Sequence, residues 1–322
     1  MINSIEIKNF RGINDGKLEN LTPLTILVGA NGCGKSTVLD ALLIGANSDP
    51  TEALSEILGR KKEGNSSAKW IFRNGLSKDI SELTTVSPDR QKIYLVPSSK
   101  IKSFLKPDYE NILKTRIVDF DQYGRFSLRT SSIKYLDSNI FRIDPMRIED
   151  STPLYTLLTE AIQQGRREAV REILQSLIPG LNELTILTEG NNPYVALEYS
   201  DRAIPASLSG SGIHQLLRES LELASRPDGV ALMEEPETNK HPAAIFQTAK
   251  VIFAAVRRGI QVILATHSLE LIDALIEQVV TQEELKMVSL FRLQLRDGCL
   301  QAVQMSGKSI AESRFEIESD MR

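Results

Sequence analysis

A glycine-rich loop near the start of the chain has the residue types and spacing of a phosphate-binding site. Residues Gly29–Ser36 read GANGCGKS and satisfy the pattern GxxxxGK[ST], with an apolar stretch before the loop and an amphipathic one after it. Glycines let successive backbone N–H groups turn inward around a phosphate, and a helix N-terminus adds partial positive charge. In this pattern Lys35 bridges the β- and γ-phosphates of a nucleotide and Ser36 binds Mg²⁺. The candidate nucleotide-binding residues here are Asn31, Gly32, Cys33, Gly34, Lys35, Ser36 and Thr37.

Two adjacent carboxylates end a second apolar stretch. Val230–Met233 are followed directly by Glu234 and Glu235. With a phosphate loop in the same chain, we predict that Glu234 is a Mg²⁺-linked carboxylate and that Glu235 is the catalytic base that polarises the attacking water. General-base assistance of this kind contributes roughly 10²–10⁴-fold to a rate. The alternative is that both acids form an ordinary solvated strand end.

The three histidines of the chain lie in or beside these motifs. His267 follows the apolar run that ends in Ala265-Thr266, and an imidazole at such a strand end can reach the γ-phosphate. We therefore predict a catalytic role for His267. For His214 and His241, a functional role and packing or capping at a helix start both remain open. The three are too dispersed to predict a zinc cluster.

The composition is that of a globular protein without a dominant charged surface. The formal net charge is -4, so no long basic nucleic-acid-binding face is predicted, although a local patch is compatible with it. Cys33 and Cys299 are too few for a disulfide framework, which suits a reducing cytoplasm. The first residues read as an alternating strand rather than a signal peptide, and no apolar run has the length of a membrane helix. These features predict a cytoplasmic protein.

Alternating strands and helices must position the motifs. Apolar residues with period two predict a first strand around Ile5, Ile7 and Phe10, and a second strand is predicted over Leu24–Val28. A helix is predicted over 35–44, with its end at 47–50. Wholly apolar runs at 230–233 and 262–265 are typical of central parallel strands covered on both faces.

The middle of the chain has a different pattern. Short strands separated by polar turn residues are predicted at Lys92–Pro97, Arg116–Phe120 and Ser132–Leu136. Two short helices are predicted between 151 and 178, and a hairpin is predicted from Glu183–Glu189 and Tyr194–Tyr199. The stretch 61–67 is predicted to be a loop.

Four segments together resemble a known family. They are NFRGI at 9–13, GANGCGKST at 29–37, MEEPETNKHP at 233–242 and ATHS at 265–268. In combination they resemble the RecF/SMC/OLD-like branch of ABC-class P-loop ATPases, closest to small bacterial AAA-family or OLD-like ATPases, from the first strand to about residue 300. The resemblance implies an ATPase that uses ATP and Mg²⁺. It also implies an α/β fold: a P-loop NTPase head of ABC type with a mixed or parallel core sheet, an antiparallel β subdomain and a helical signature lobe.

The resemblance also implies a signature motif that acts on a second subunit. Leu208–Gly212 read LSGSG and are similar to the family motif LSGGQ, with Gly212 where glutamine usually stands. In the family this loop caps the γ-phosphate bound by the opposite subunit, which makes Ser209, Gly210 and Ser211 candidate contacts. A hydroxyl, glycine amides and a helix N-terminus suit an anion. The implied partner is a second copy of the chain, in a homodimer or a dimer-based oligomer.

Further residues are assigned only by the same resemblance. Arg11 is similar to the family arginine near the nucleotide phosphates, and 239–241 would touch the partner subunit as the D-loop. For the family's Q-loop glutamine, Gln91 and Gln122 both remain open.

The expected organisation is a single ABC-type ATPase head over 1–322. We predict a nucleotide-binding core lobe from 1–50 and 228–322, an antiparallel β subdomain over 51–145, and a helical lobe with the signature motif over 146–227. The chain departs from SMC proteins because no long heptad run separates the phosphate loop from the signature. It departs from OLD nucleases because only about 55 residues follow His267 and they hold no acidic metal-ligand cluster, so we expect no nuclease activity in this chain.

Three functions are compatible with these features. The first is an ATP-gated switch in which ATP brings two heads together and hydrolysis releases them to control a separate effector protein, in antiphage defence or DNA maintenance. The second is a RecF-like repair ATPase that binds DNA directly through basic residues at 60–62 or at 166, 167 and 171; a solvated surface is the alternative for both clusters. The third is the nucleotide-binding subunit of a transporter, which the NFRG segment, the EEPE segment and the missing signature glutamine disfavour.

Overall fold

The computed structural model describes residues 1–59, 70–73, 79–87, 89–97, 99–101, 115–123, 125–129, 139–144 and 152–315. The strands are β1 (Ser4–Phe10), β2 (Ile13–Glu19), β3 (Leu24–Val28), β4 (Ser81–Ser87), β5 (Asp89–Pro97), β6 (Thr115–Phe120), β7 (Phe126–Arg129), β8 (Ile140–Ile143), β9 (Glu183–Glu189), β10 (Asn192–Glu198), β11 (Ala203–Pro205), β12 (Val230–Glu234), β13 (Gln261–Ala265), β14 (Val288–Arg296) and β15 (Cys299–Ser306). The helices are α1 (Lys35–Ala46), α2 (Pro50–Gly59), α3 (Leu154–Gln163), α4 (Arg167–Gln175), α5 (Ser211–Ser225), α6 (Pro242–Arg257), α7 (Leu269–Glu277), α8 (Gln282–Lys286) and α9 (Gly307–Phe315).

Within the described residues, twelve strands form one mixed sheet, in the order β7-β6-β5-β4-β1-β2-β15-β14-β3-β13-β12-β8. The strands β14, β3, β13, β12 and β8 pair in parallel, so their carboxyl ends lie at one edge. The strand before the glycine-rich loop, the strand before Glu235 and the strand before His267 are therefore neighbours. Ligands of open α/β sheets bind at this edge.

The central strands are apolar because both faces of the sheet are covered. All five residues of β3 are buried, and they alternate between two apolar cores. Leu24, Ile26 and Val28 face one core, which helices α3 to α7 and α9 share, whereas Leu27 faces the other core, formed with α1 and α2. The predicted central parallel strands and the helix that follows the loop are confirmed.

The second half of the chain adds the helical lobe. The helices α3 and α4 and the β9–β10 hairpin occur as predicted, and β11 joins the hairpin in a separate sheet of three antiparallel strands. Leu216, Leu217 and Leu221 on α5 are buried in the core that this lobe shares with the large sheet. None of the helices within the described residues is long and apolar enough to cross a membrane.

The region 51–145 differs in detail from the predicted antiparallel subdomain. Its strands β4 to β7 extend the large sheet beyond β1, and β5 pairs with β6 in parallel. The strand β8 leaves this group and pairs with β12 at the opposite edge. Short strands punctuated by polar turns do not encode strand direction, which explains the difference. The predicted strand at 132–136 and the predicted loop at 61–67 lie outside the described residues.

A buried ion pair joins the start of α6 to α5. The Lys240 ammonium contacts the Glu219 carboxylate and donates to the Thr248 hydroxyl at 2.9 Å. The Lys240 and Glu219 side chains are 0% and 3% exposed. Because the removal of one partner from a buried pair leaves an uncompensated charge, this contact is a sensitive point of the fold.

We predict that Lys240→Met lowers the free energy of unfolding by about 3–5 kcal/mol, since Glu219 is left buried without its counter-charge. Urea denaturation followed by circular dichroism measures the change. The double variant Lys240→Met/Glu219→Leu should recover most of the loss. Lys286→Met, in the exposed pair with Glu283, is the control and should have little effect. A loss of stability in Lys240→Met no larger than that in Lys286→Met would contradict the prediction.

Candidate nucleotide-hydrolysis site

The glycine-rich loop connects β3 to α1 at the carboxyl edge of the sheet. Gly29, Gly32 and Gly34 have φ values of 142°, 78° and 102°, a region that favours glycine. The buried Lys35 ammonium donates to the Gly29 carbonyl at 2.8 Å and to the Ala30 carbonyl at 3.3 Å. Burial lowers the pKa of Lys35, and the nearby Cys33, Glu235 and Glu237 oppose that shift. The ammonium of Lys35 is thus held against the loop whose backbone N–H groups are predicted to bind phosphate.

Glu234, the last residue of β12, meets the first turn of α1. The Ser36 hydroxyl donates to one oxygen of Glu234, and the Arg142 guanidinium pairs with the other oxygen. A second nitrogen of Arg142 pairs with Asp40 on α1, and Arg11 pairs with the other oxygen of Asp40. The five side chains form one continuous polar chain from β1 to β12.

The sequence analysis did not identify two members of this network, Asp40 and Arg142. Asp40 lies inside an apolar helix, and Arg142 lies inside the apolar segment 140–143. A charged residue in an apolar segment indicates a buried ion pair, because buried charges are rare unless they are paired. This was the signal in the sequence for both residues. For Arg11, the structure places the guanidinium against Asp40 and 5.7 Å from the Phe10 ring centroid. Its contact with nucleotide phosphates stays a prediction.

Glu235 and His267 lie next to each other at the ends of β12 and β13. The Glu235 carboxylate is 3.7 Å from Nε2 of His267, and its side chain is 48% exposed. Glu235 has a φ of 44°, and its N–H donates to the Ala265 carbonyl at 2.8 Å. A left-handed conformation in a non-glycine residue costs on the order of 1–3 kcal/mol and persists only where the surroundings enforce it. The strained turn aims an accessible carboxylate at the edge where Lys35 lies.

Glu237 is a further residue of the site that the sequence analysis did not assign. One of its oxygens accepts hydrogen bonds from the Thr266 hydroxyl at 2.7 Å and from the His267 N–H at 3.0 Å. The third acid of the segment 234–237 was its only sequence signal. Through these two bonds Glu237 fixes the backbone that carries His267.

The signature loop precedes α5 and lies against the turn after β12. The Ser209 hydroxyl donates to the Ala206 carbonyl at 2.6 Å, and Leu208 beside it is 74% exposed. A Cβ at Gly212 would lie 3.1 Å from the carbonyl oxygen of Asn239, closer than side chains normally pack. This close approach leaves little room for a side chain at position 212, where the resemblance predicts glutamine.

The remaining histidines have different surroundings. His241 caps α6, since its Nδ1 accepts from the Ala243 N–H at 3.3 Å. This capping contact was one of its two open interpretations. His214 is half-buried on α5, where burial and the nearby Arg218 lower its pKa.

Neither candidate for the Q-loop glutamine lies near the site. Gln91 is in β5 and accepts from Arg116 at 2.8 Å, and Gln122 lies in the turn between β6 and β7. Five strands separate β5 from β3 in the sheet. The strand that flanks β12 is instead β8, which carries Arg142.

The basic residues proposed to bind DNA have structural contacts. Arg166 donates to the carbonyls of Ala224 and Arg226 at 2.8 and 2.6 Å. Arg167 pairs with Glu183 at 3.1 Å, and Arg171 pairs with Glu168. Arg166 thus links the start of α4 to the end of α5, and Arg167 links α4 to β9. The cluster 60–62 lies outside the described residues.

The residues at the loop fit a magnesium ion that is shared with a nucleotide. No group of three or more His, Cys, Asp or Glu side chains among the described residues could hold a metal alone. Mg²⁺ typically takes one or two carboxylates together with substrate phosphates and water. The Ser36 hydroxyl and the Glu234 carboxylate already touch, so the site offers oxygen ligands in that pattern.

Comparison with known proteins gives a consistent result. Residues 1–114 and 65–272 match a family described as AAA ATPase domain. The chain is 23% identical over 332 residues to an ATP/GTP phosphatase of Helicobacter pylori, covering 88% of this chain and 90% of that protein. It is also 41% identical over 44 residues to the DNA double-strand break repair Rad50 ATPase of Archaeoglobus fulgidus, covering 14% of this chain and 5% of that protein.

Solved structures show the same fold. An SMC head bound to the C-terminal winged-helix domain of ScpA has a TM-score of 0.57 at 17% identity, covering 95% of this chain and 98% of that chain. An SMC head with an extended coiled coil, bound to the C-terminal domain of ScpA from Pyrococcus furiosus, has a TM-score of 0.58 at 14% identity, with 99% of both chains covered. These matches confirm the predicted head fold, with its large mixed sheet, separate antiparallel sheet and helices.

We predict that Glu237→Ala lowers kcat for nucleotide hydrolysis by roughly 10²-fold, since misplacement of a reacting group by about 1 Å has an effect of this size. Nucleotide affinity should stay unchanged, because the loop 29–36 is not altered. Steady-state phosphate release and equilibrium binding of a fluorescent ATP analogue measure the two quantities.

Glu237→Gln keeps a carbonyl acceptor for Thr266 and His267 and should retain more activity than the alanine variant. Glu277→Ala, at an exposed position on α7, is the control for charge removal. A wild-type kcat for Glu237→Ala would rule out the positioning role.

Proposed function

The chain belongs to the AAA ATPase domain family and hydrolyses ATP, and we propose that hydrolysis operates a switch between separated and paired ATPase heads. In the paired state the signature loop of one copy covers the nucleotide bound by the other copy. The site in each chain is then completed by its partner, in a symmetric dimer with two equivalent interfaces.

The positions of the residues at the sheet edge support the following proposed roles. Loop amides and Lys35 bind the phosphates, with Ser36 and Glu234 as ligands of Mg²⁺. Glu235 accepts a proton from the attacking water, and His267, 3.7 Å from it, contacts the γ-phosphate. Mg²⁺ supplies charge neutralisation to the transferred phosphoryl group when it is bound.

The observation that carries the dimer proposal is the position of the signature loop. Among the described residues, Gly212 packs on Asn239 and Lys240, and Ser209 bonds within its own turn. The loop thus packs on the turn after β12, and neither of these contacts involves Lys35. Leu208 is 74% exposed beside Ser209, and Asn31 and Gly32 are exposed on the phosphate loop. Exposed apolar and phosphate-binding surfaces of this kind suit a second copy.

The output of the switch is control of a partner protein. The relatives support this direction, since SMC heads bind ScpA and Rad50 acts in DNA double-strand break repair. We place the activity in antiphage defence or DNA maintenance, with a separate effector, in a reducing cytoplasm where both cysteines stay free.

We expect Glu235→Gln to bind ATP with unchanged affinity and to hydrolyse it about 10²–10⁴-fold more slowly, because the amide cannot accept the proton of the attacking water. Phosphate release under single-turnover conditions measures the chemical step. Glu198→Gln, on the exposed end of β10, is the control. Hydrolysis at the wild-type rate would remove Glu235 from the mechanism.

The Glu235→Gln protein also tests the switch itself. Its mass in solution should double when ATP and Mg²⁺ are added, because the bound nucleotide is not consumed. Lys35→Ala/Glu235→Gln should keep the same mass with and without ATP, as it lacks the phosphate-binding ammonium. A monomer with bound ATP would contradict pairing of heads.

A further inference from the structure

We propose that Arg142 is a positioning residue for metal binding, which holds the Glu234 carboxylate in the orientation that accepts Mg²⁺. This inference rests on the proposed function, in which Glu234 is a metal ligand. It assigns the task to a residue outside the phosphate loop, outside the acidic segment 234–237 and outside the signature loop.

The first support is that the two oxygens of Glu234 have different partners. Oε2 pairs with Nη2 of Arg142, whereas Oε1 faces the Ser36 hydroxyl. The guanidinium therefore occupies one side of the carboxylate and leaves the other side toward the other proposed metal ligand. A carboxylate with one oxygen fixed has less freedom to rotate, so a ligand oxygen is presented to the metal in advance.

The second support is that Arg142 is itself fixed. Its side chain is 1% exposed, and Nη1 pairs with Asp40, which is 2% exposed. Asp40 also pairs with Arg11, so each acid in the chain Arg11–Asp40–Arg142–Glu234 lies beside an arginine. Two cations and two anions make this group neutral. The planar guanidinium of Arg142 contacts Asp40 and Glu234 at once, and a lysine ammonium reproduces this arrangement poorly.

The third support is the backbone that carries Arg142. The strand β8 pairs in parallel with β12, with Arg142 opposite Leu232 and Ile143 opposite Met233. Asp40 lies on α1, the helix that begins at Lys35. Arg142 thus ties β12, which ends in Glu234, to the helix that follows the phosphate loop. The separation between Glu234 and Ser36 is set through this tie.

The test is the dependence of nucleotide binding on Mg²⁺, measured with a fluorescent ATP analogue at equilibrium. In EDTA, Arg142→Lys and Arg142→Gln should bind the analogue as the wild type does, because the loop and Lys35 are intact. For both Arg142 variants, the Mg²⁺ concentration at half of the metal-dependent change in analogue binding should rise about 10–100-fold. This is the usual effect of losing a residue that orients a metal ligand. Asp40→Asn should shift this concentration in the same direction by less.

Two further variants make the result specific. Arg116→Lys is the matched control, because Arg116 is also a buried arginine and donates to the carbonyls of Asn47 and Ser48 just after α1 and to Gln91. Its Mg²⁺ midpoint should equal that of the wild type. Glu234→Gln is the reference for loss of the metal ligand itself. Arg142→Lys keeps the charge, so it remains informative if the glutamine variant does not fold.

The outcomes separate this inference from the proposed function. A shifted midpoint for Glu234→Gln and an unchanged one for both Arg142 variants would overturn the role of Arg142 alone. An unchanged midpoint for Glu234→Gln would overturn the metal role of Glu234. A lower midpoint for the Arg142 variants would show that the guanidinium competes with the metal, and would also contradict the proposal.

Discussion

The contact of Glu234 with both Ser36 and Arg142 is the constraint on which the site depends. It joins β12 to the first turn of α1, and through Asp40 it reaches Arg11 after β1. A buried network of this kind is stabilising only when every charge has its partner, since an unpaired buried charge is costly. The parallel pairing of β3, β13 and β12 brings the phosphate loop, Glu235 and His267 to the same edge. The network then fixes how the strands and α1 meet there.

The site also stores local strain in its catalytic turn. Glu235 has a left-handed backbone, and the next turns contain Asn239 with a φ of 58°. Glu237 anchors the opposite side of the turn to Thr266 and His267, and Lys240 anchors its end to α5 through Glu219. The turn after β12 therefore links the proposed catalytic base to the helix that begins at the signature loop.

The sequence was sufficient to predict the elements that carry local patterns. The spacing GxxxxGK[ST] and the wholly apolar runs predicted the loop, its flanking elements and the central parallel strands, because each depends on residues close in the chain. The polar network was not predictable in the same way. Asp40, Arg142 and Glu234 lie far apart in sequence, and a single charge in an apolar segment does not identify its partner. The pairing of β8 with β12, rather than with β7, likewise depends on long-range packing.

The most direct test of the central claim, that each ATP site is completed by a second copy, is ATP hydrolysis by mixed variants. Lys35→Ala removes the phosphate-binding ammonium, and Ser209→Arg blocks the signature loop. Each protein alone should be inactive, whereas an equal mixture should reach about a quarter of the wild-type rate, since half of the dimers would each hold one intact composite site. Wild-type activity of Ser209→Arg alone, or an inactive mixture of folded proteins, would contradict the account.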